Sequence, residues 1–239
     1  MAMTTPPKIV AAWQAVVNAT EVPGDIVEAG VYRGGLSMVM AWAEMVAVHG
    51  ARHPHPRRTL WLYDTFEGLP PPTAEDDNIA RLRWANAAKV SGAAARDAFR
   101  HGSEHIDENG VIRWNYGPLD EVRRNMNATG YPMHRVRFVK GRLEDTLKEP
   151  DTLPGRIAVL RLDTDWFEST RAALDALFPR LSPGGYLFID DYCKWRGQRA
   201  ATDAWLRQHR SQLQADSIKG HGTSLCFMAR RRFDADARR

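Results

Sequence analysis

The chain is predicted to fold as an α/β protein, a doubly wound and mostly parallel sheet carrying a partly helical insertion. Three observations carry that reading. Short apolar segments alternate with segments of helical periodicity along most of the sequence. Arg156 to Leu162 is almost uninterruptedly apolar, as a strand is when helices cover both faces of a parallel sheet. Carboxylates and glycines recur where predicted strands end, which is where open α/β sheets bind ligands. One domain is expected over residues 1–239, with an insertion at about 73–117.

Residues 8 to 19 carry Ile9, Trp13, Val16 and Val17 at helical spacing, and Pro23-Gly24 stops that helix. Asp25 to Ala29 reads as a strand running through the turn Gly30-Val-Tyr-Arg-Gly-Gly35 into a helix from Leu36 to Val48. A basic, proline-broken loop then leads to a second strand, Thr59 to Tyr63, with Asp64 at its carboxyl end. Strand, helix, strand predicts a parallel pair with a right-handed crossover. Thr73 to Gly117 is less regular, acidic from Glu75 to Asp77 and alanine-rich from Ala85 to Ala98, so it reads as the insertion. Pro118 to Ala128 is a helix and Val136 to Lys140 a strand. After Arg156 to Leu162, the segment Asp163 to Thr170 opens a helix that runs to Phe178. Ser182-Pro-Gly-Gly185 then turns the chain into a strand from Tyr186 to Ile189. A last helix covers Gln198 to His209, and two strand candidates follow at Ser217 to Lys219 and Ser224 to Ala229.

With 239 residues, 44% hydrophobic and 26% charged, the chain supports a sizeable core. Disorder, a collagen-like fibre and a disulfide-stapled mini-protein are excluded. The formal net charge is +4, of which Arg230 to Arg239 supply five Arg against two Asp, so the body is nearly neutral and no nucleic-acid partner is expected. Cys193 and Cys226 lie 33 residues apart without zinc-spaced histidines, indicating neither a disulfide framework nor a metal knuckle. A reducing cytoplasm is therefore the expected location. The first residues lack a basic segment leading into an apolar one, and the longest apolar stretch, Leu36 to Val48, is broken by Glu44. A soluble, unexported protein with no membrane partner is expected.

Glu28 to Gly30, Asp64, Gly141, Asp163 and Asp190-Asp191 all stand at predicted strand ends. The glycine turn lets backbone approach a ligand while the helix after it presents free N–H groups, and Glu28 is placed to hold an ammonium group. A tight strand-to-helix turn without a ligand would ask for the same glycines. A dinucleotide dehydrogenase is disfavoured, because Tyr32 occupies the second glycine position of its fingerprint and Asp64 follows Gly30 by 34 residues. Asp64 can accept ribose hydroxyls, or it can cap the turn before Gly68. Asp163, Asp190 and Asp191 converge if their strands are neighbours about 4.8 Å apart. Three such charges need compensation, and a hard divalent ion such as Mg²⁺ answers that need. Helix capping is the alternative, and it is the reading taken for Asp165, with Glu168 three residues on as in a capping box.

Five stretches in order carry a resemblance. Glu28-Ala-Gly-Val-Tyr-Arg-Gly-Gly35, Tyr63-Asp-Thr-Phe-Glu-Gly-Leu-Pro70, Phe138-Val-Lys-Gly141, Leu160-Arg-Leu-Asp-Thr-Asp165 with Glu168-Ser-Thr170, and Leu181-Ser-Pro-Gly-Gly185 with Asp190-Asp-Tyr192 together resemble the macrocin O-methyltransferase family. The resemblance covers about Asp25 to Arg210. It implies a class I methyltransferase, Rossmann-like fold and an S-adenosylmethionine-dependent, Mg²⁺-dependent enzyme acting on sugar hydroxyls of secondary metabolites. It implies that Gly30, Val31, Tyr32, Arg33 and Gly34 cradle the methionine end of the cofactor. Asp64, Thr65, Phe66 and Gly68 would hold its ribose, and Gly141 with Arg142 would lie near its adenine. Glu28, Ser37 and Asp163 complete the implied cofactor-binding set. Asp163, Asp190 and Asp191 would hold the metal, with Asp163 also the general base.

The implied partner is a glycosylated small-molecule acceptor, and a homo-oligomer stays open. The insertion matches none of these motifs and is expected to form a lid over the acceptor. Three other functions stand beside this one. A catechol-type phenol would use the same aspartates, a non-catalytic scaffold would bind S-adenosylmethionine alone, and a nucleic-acid methyltransferase is favoured only by the Arg-rich tail.

Overall fold

The computed structural model describes residues 5–49, 57–89, 104–106, 112–214 and 227–233. The apolar periodicity and its breakers yield α1 (Pro6–Asn18), β1 (Asp25–Ala29), α2 (Gly35–His49), β2 (Leu60–Asp64) and α3 (Asn78–Lys89). A short hairpin of β3 (Glu104–Ile106) and β4 (Ile112–Trp114) follows, then α4 (Leu119–Ala128), β5 (Val136–Lys140) and α5 (Leu143–Thr146). The remainder is β6 (Ile157–Leu162), α6 (Phe167–Leu177), β7 (Leu181–Ile189), α7 (Arg196–His209), β8 (Leu213–Gln214) and β9 (Phe227–Arg231). No helix among the described residues is long and apolar enough to cross a membrane.

Seven strands form one sheet in the order β5-β2-β1-β6-β7-β9-β8. Its first five are parallel, and β9 pairs antiparallel with β7 and β8. The chain winds outward from β1 to β2 and β5, then crosses back to β6 on the other side of β1. Strand order therefore reverses between β1 and β6. Every residue of β6 is buried, as the nearly continuous apolar run predicted.

The two-residue period of the strands divides the core. Ile26, Leu60, Leu62, Val136 and Phe188 pack under α1, α2 and α4, while Val27, Tyr63, Leu160, Leu162 and Ile189 pack under α6 and α7. Glu28 shares its face with Ile26, two residues before it. The same alternation aims Arg161, Asp163 and Asp190 toward the α1 and α2 side.

Three details differ from the sequence reading. β7 begins at Leu181, because Ser182 to Gly185 lies inside a strand irregularity, where Ile157 pairs with Leu181 but Val159 already pairs with Tyr186. The insertion holds a hairpin as well as a helix. Cys193 is disulfide-bonded, which spacing along the chain cannot report. Of the late strand candidates, Ser217 to Lys219 lies outside the described residues and the other corresponds to β9.

Gly30 shows why the central turn demands glycine. Its φ is +85°, and a Cβ there would stand 2.0 Å from the Asp163 carbonyl oxygen. The exits of β1 and β6 can lie side by side only without that carbon. Gly30→Ala is expected to cost more than about 3 kcal/mol. Gly155→Ala is the control, since a Cβ there meets nothing within 4 Å. Urea unfolding of both variants checks this, and equal costs would refute the close-approach account.

Candidate active site

The parallel register brings the strand exits into one line. Gly141 N–H donates to Asp64 O at 3.0 Å, Gly30 N–H to Tyr63 O at 2.9 Å, Asp163 N–H to Ala29 O at 2.8 Å and Asp190 N–H to Leu162 O at 2.9 Å. Residues separated by more than 100 positions thus share one edge of the sheet, at the point where strand order reverses.

Asp64 acts as a clamp on this edge. Its Oδ2 accepts from Val31 N–H at 2.7 Å and Tyr32 N–H at 2.9 Å, and its Oδ1 accepts from Phe66 N–H at 2.8 Å. One carboxylate therefore fixes the glycine turn against the turn after β2. Burial raises its pKa despite those three amides. Thr65 Oγ1 closes the second turn by donating to Gly68 O at 2.6 Å. Gly34 N–H returns to Val31 O at 2.9 Å, and Arg33 stands 3.6 Å from Glu121. Arg142 lies at the outer end of the line, half exposed beside Glu144.

Arg161 is the hub of the inner part. Its guanidinium donates to Glu28 Oε1, to Asp163 Oδ2 at 2.8 Å and to Asp190 Oδ2 at 2.8 Å. Ser37 donates to the other oxygen of Glu28. Glu28 is 1% exposed, and burial raises its pKa against the pull of Arg161. The sequence reading put Glu28 and Ser37 on the cofactor surface. Their side chains are bonded to each other, and Glu28 also to Arg161.

The acidic group is also drawn differently from expectation. The carboxylates that offer oxygens within 4.8 Å of one another are those of Asp163, Asp165 and Asp191. Asp190 is not among them. As the residue after Ile189, it falls on the α1 side and accepts from Lys8 at 2.9 Å and from Arg161. Asp165 enters because its backbone is left-handed, with φ +61°. It caps nothing: α6 starts after Trp166, and Phe167 N–H donates to Asp76 Oδ1 at 2.9 Å.

The network counts five carboxylates, Glu28, Asp163, Asp165, Asp190 and Asp191, against Arg161, Lys8 and Lys194, leaving two negative charges formally unmatched. Burial, then Asp190, pushes Asp163 up to about 8 against the pull of Arg161. Burial and then Asp191 also raise Asp165. Burial opposes the charge on Asp191, but Lys194 and Lys8 prevail and hold it below the ordinary value. An all-oxygen set short of two positive charges fits a hard divalent cation.

The described end of the insertion meets this group. Asn115 Nδ2 donates to Asp165 Oδ2 at 3.4 Å, and Trp114 packs edge-on against Trp166 and Trp195 at ring separations of 6.2 and 6.0 Å. Trp166 Nε1 donates to Pro70 O at 2.8 Å. Tyr32, Phe66, Asn115 and Asp165 are the non-glycine residues with positive φ among the described residues. All four sit around this edge. Such conformations cost roughly 1–3 kcal/mol each, and they cluster where surrounding structure enforces them at functional sites.

Sequence reasoning missed Arg161, Lys8, Asp76 and Asn115. Arg161 had a signal, since an arginine inside an otherwise apolar central strand has to be buried and paired. The other three had none.

The fold is that of O-methyltransferases. The O-methyltransferase NovP matches with a TM-score of 0.68 and 28% identity, over 94% of this chain and 79% of that one. The calicheamicin methyltransferase CalS11 matches in fold, with a TM-score of 0.63 at 20% identity over 95% of this chain and 79% of that one. The chain belongs to the Macrocin-O-methyltransferase (TylF) family, whose profile matches residues 8–111 and 103–225. Among curated relatives, 8-demethyl-8-(2,3-dimethoxy-alpha-L-rhamnosyl)-tetracenomycin-C 4'-O-methyltransferase of Streptomyces olivaceus is 42% identical over 176 residues, 74% of this chain and 56% of that protein. Mycinamicin III 3''-O-methyltransferase of Micromonospora griseorubida is 33% identical over 175 residues, 72% of this chain and 56% of that protein. The chain spans about half the length of the curated relatives it matches.

Two outcomes follow from the charge network. Arg161→Met leaves buried carboxylates uncompensated and is expected to cost about 3–5 kcal/mol in urea unfolding. A loss under about 1 kcal/mol would show that the carboxylates do not need it. The second concerns pH. A carboxyl whose folded pKa exceeds its unfolded value stabilises the fold below the unfolded value and loses that contribution as pH climbs through the folded one. With Asp163 moved from 3.8 to about 8, metal-free protein is expected to lose thermal stability across that window. Asp163→Asn is expected to flatten the loss, and parallel Tm profiles for the two proteins would refute the assignment.

Proposed function

We propose that the chain transfers a methyl group from S-adenosylmethionine to a hydroxyl of a sugar, a deoxysugar on a glycosylated small molecule in natural-product biosynthesis. The observation that carries this reading is the line of strand exits ending in an acidic group that lacks two positive charges. Family membership and the sugar-directed names of the relatives support the acceptor class.

The line suits an extended ligand with an amino-acid end and a nucleoside end. In this reading Gly30, Val31, Tyr32, Arg33 and Gly34 receive the methionine portion. Asp64, Thr65, Phe66 and Gly68 line the ribose, and Gly141 with Arg142 borders the adenine. Asp64 serves chiefly by holding the two turns in register, because its oxygens are already engaged by amides. S-adenosylmethionine brings the methyl group already activated on its sulfonium. The protein must then align an oxygen nucleophile and exclude water.

A sugar hydroxyl is a weak acid and needs a base. Asp163 is assigned that role, being the half-buried carboxylate at the exit of β6. Arg161 orients it through Oδ2. Asp163, Asp165 and Asp191 would hold Mg²⁺, and Asp190 would support them through Arg161 and Lys8. A divalent cation there supplies Lewis acidity that stabilises developing alkoxide charge. The insertion acts as the lid, with Trp114, Trp166 and Trp195 forming a dry wall beside the acidic group.

Chelator-stripped protein is expected to methylate glycosides only after Mg²⁺ is restored, and Asp163→Asn to lower kcat about 10²-fold or more. The readout is methyl transfer from labelled S-adenosylmethionine to panels of glycosides and catechols. Full activity in chelator removes the cation from the reaction. Turnover of catechols alone would move the acceptor class to phenols, and calorimetric cofactor binding without turnover on either panel would favour a scaffold.

A further inference from the structure

Lys8 lies far from every motif, in the first half of α1, yet its ammonium reaches the acidic centre. Its Nζ stands 2.9 Å from Asp190 Oδ2 and 3.2 Å from Asp191 Oδ1, across 182 and 183 positions of sequence. The residue is 6% exposed. Lysine is almost never so buried without a partner, and here the partners are two consecutive aspartates. The Asp190 oxygen that Lys8 touches is also held by Arg161. The bond to Asp191 is different, because Asp191 belongs to the group within cation-binding distance. Its second oxygen is 3.3 Å from Lys194, whose side chain is 57% exposed. One ammonium at Asp191 is thus a surface group, and the other is built into the core through α1.

We propose that Lys8 is the resident counter-cation of this site, holding Asp190 and Asp191 in the metal-free protein and setting how tightly a divalent cation binds beside them. The inference rests on the reading of Asp163, Asp165 and Asp191 as a cation site. Like charges at close range in a buried setting repel strongly, so Lys8 works against a second cation while it stabilises the empty acidic group. Removing its charge leaves the group more negative and more attractive to a divalent ion, at the cost of the metal-free fold. Lys8 is a positioning residue, since it acts through Asp190 and Asp191. α1, which otherwise packs on α2 by small apolar side chains, is by this contact linked to occupancy of the site.

Mn²⁺ binding to the metal-stripped full-length chain, read by electron paramagnetic resonance and calorimetry, tests this without any turnover. Lys8→Met and Lys8→Gln are expected to bind Mn²⁺ at least tenfold tighter than wild type, to melt at a lower temperature when metal-free, and to regain that deficit in Mn²⁺. Lys8→Arg, which keeps the charge, is expected to bind as wild type does. Asp165→Asn is expected to weaken binding in every background. The glutamine variant retains a hydrogen-bond donor and reports if the methionine variant does not fold. Mn²⁺ affinity unchanged or weaker in both neutral variants, with Asp165→Asn still weakening it, overturns the role of Lys8 and spares the site. No binding by any variant overturns the site and the role of Lys8 together.

Discussion

The buried guanidinium of Arg161 is the constraint on which the inner site depends. It sits on the central strand beside Glu28, its register partner on β1, and two residues before Asp163 at the exit of its own strand. Each of its carboxylate partners would be costly to bury alone. Together they form a fixed array in which the charge on one side chain is the reason the next can stay inside. The array also sets a direction. Because strand side chains alternate, the guanidinium and its partners face α1 and α2, and that is the side from which Lys8 enters.

This arrangement separates support from surface. Glu28 and Ser37 are spent on holding Arg161 and the first turn of α2, and Asp64 is spent on holding two turns together. The backbone of the glycine turn, the turn after β2 and the acidic trio share the same sheet edge. A rigid frame of this kind suits methyl transfer, where the protein's main task is to hold reactants in line and keep the site dry. The left-handed backbones of Tyr32, Phe66, Asn115 and Asp165 carry the same message. Local conformational cost is accepted where the surrounding contacts demand a particular direction.

The insertion is joined to this frame more firmly than its irregular sequence suggests. Asp76 serves α6 as a cap from outside, Asn115 meets Asp165, and Trp114 seats on two tryptophans that follow site aspartates in sequence or lie within a turn of them.

The sequence by itself determined the parallel sheet, the order of its main helices and parallel strands, and the residues at the strand exits, because period-two and helical apolar patterns, glycine turns and strand-terminal carboxylates are local signals. The family was legible for the same reason, as five short motifs in order. Only the tertiary structure decided which aspartates meet. Asp165 meets Asp163 and Asp191 where a left-handed residue turns the chain after β6, while alternation along β7 carries Asp190 to Lys8 and Arg161. Likewise, only folding could show that Glu28 is bonded to Arg161, or that a lysine from the first helix reaches Asp190 and Asp191. Pairings across 130 or more residues depend on sheet register and helix docking, and no local pattern in the chain encodes them.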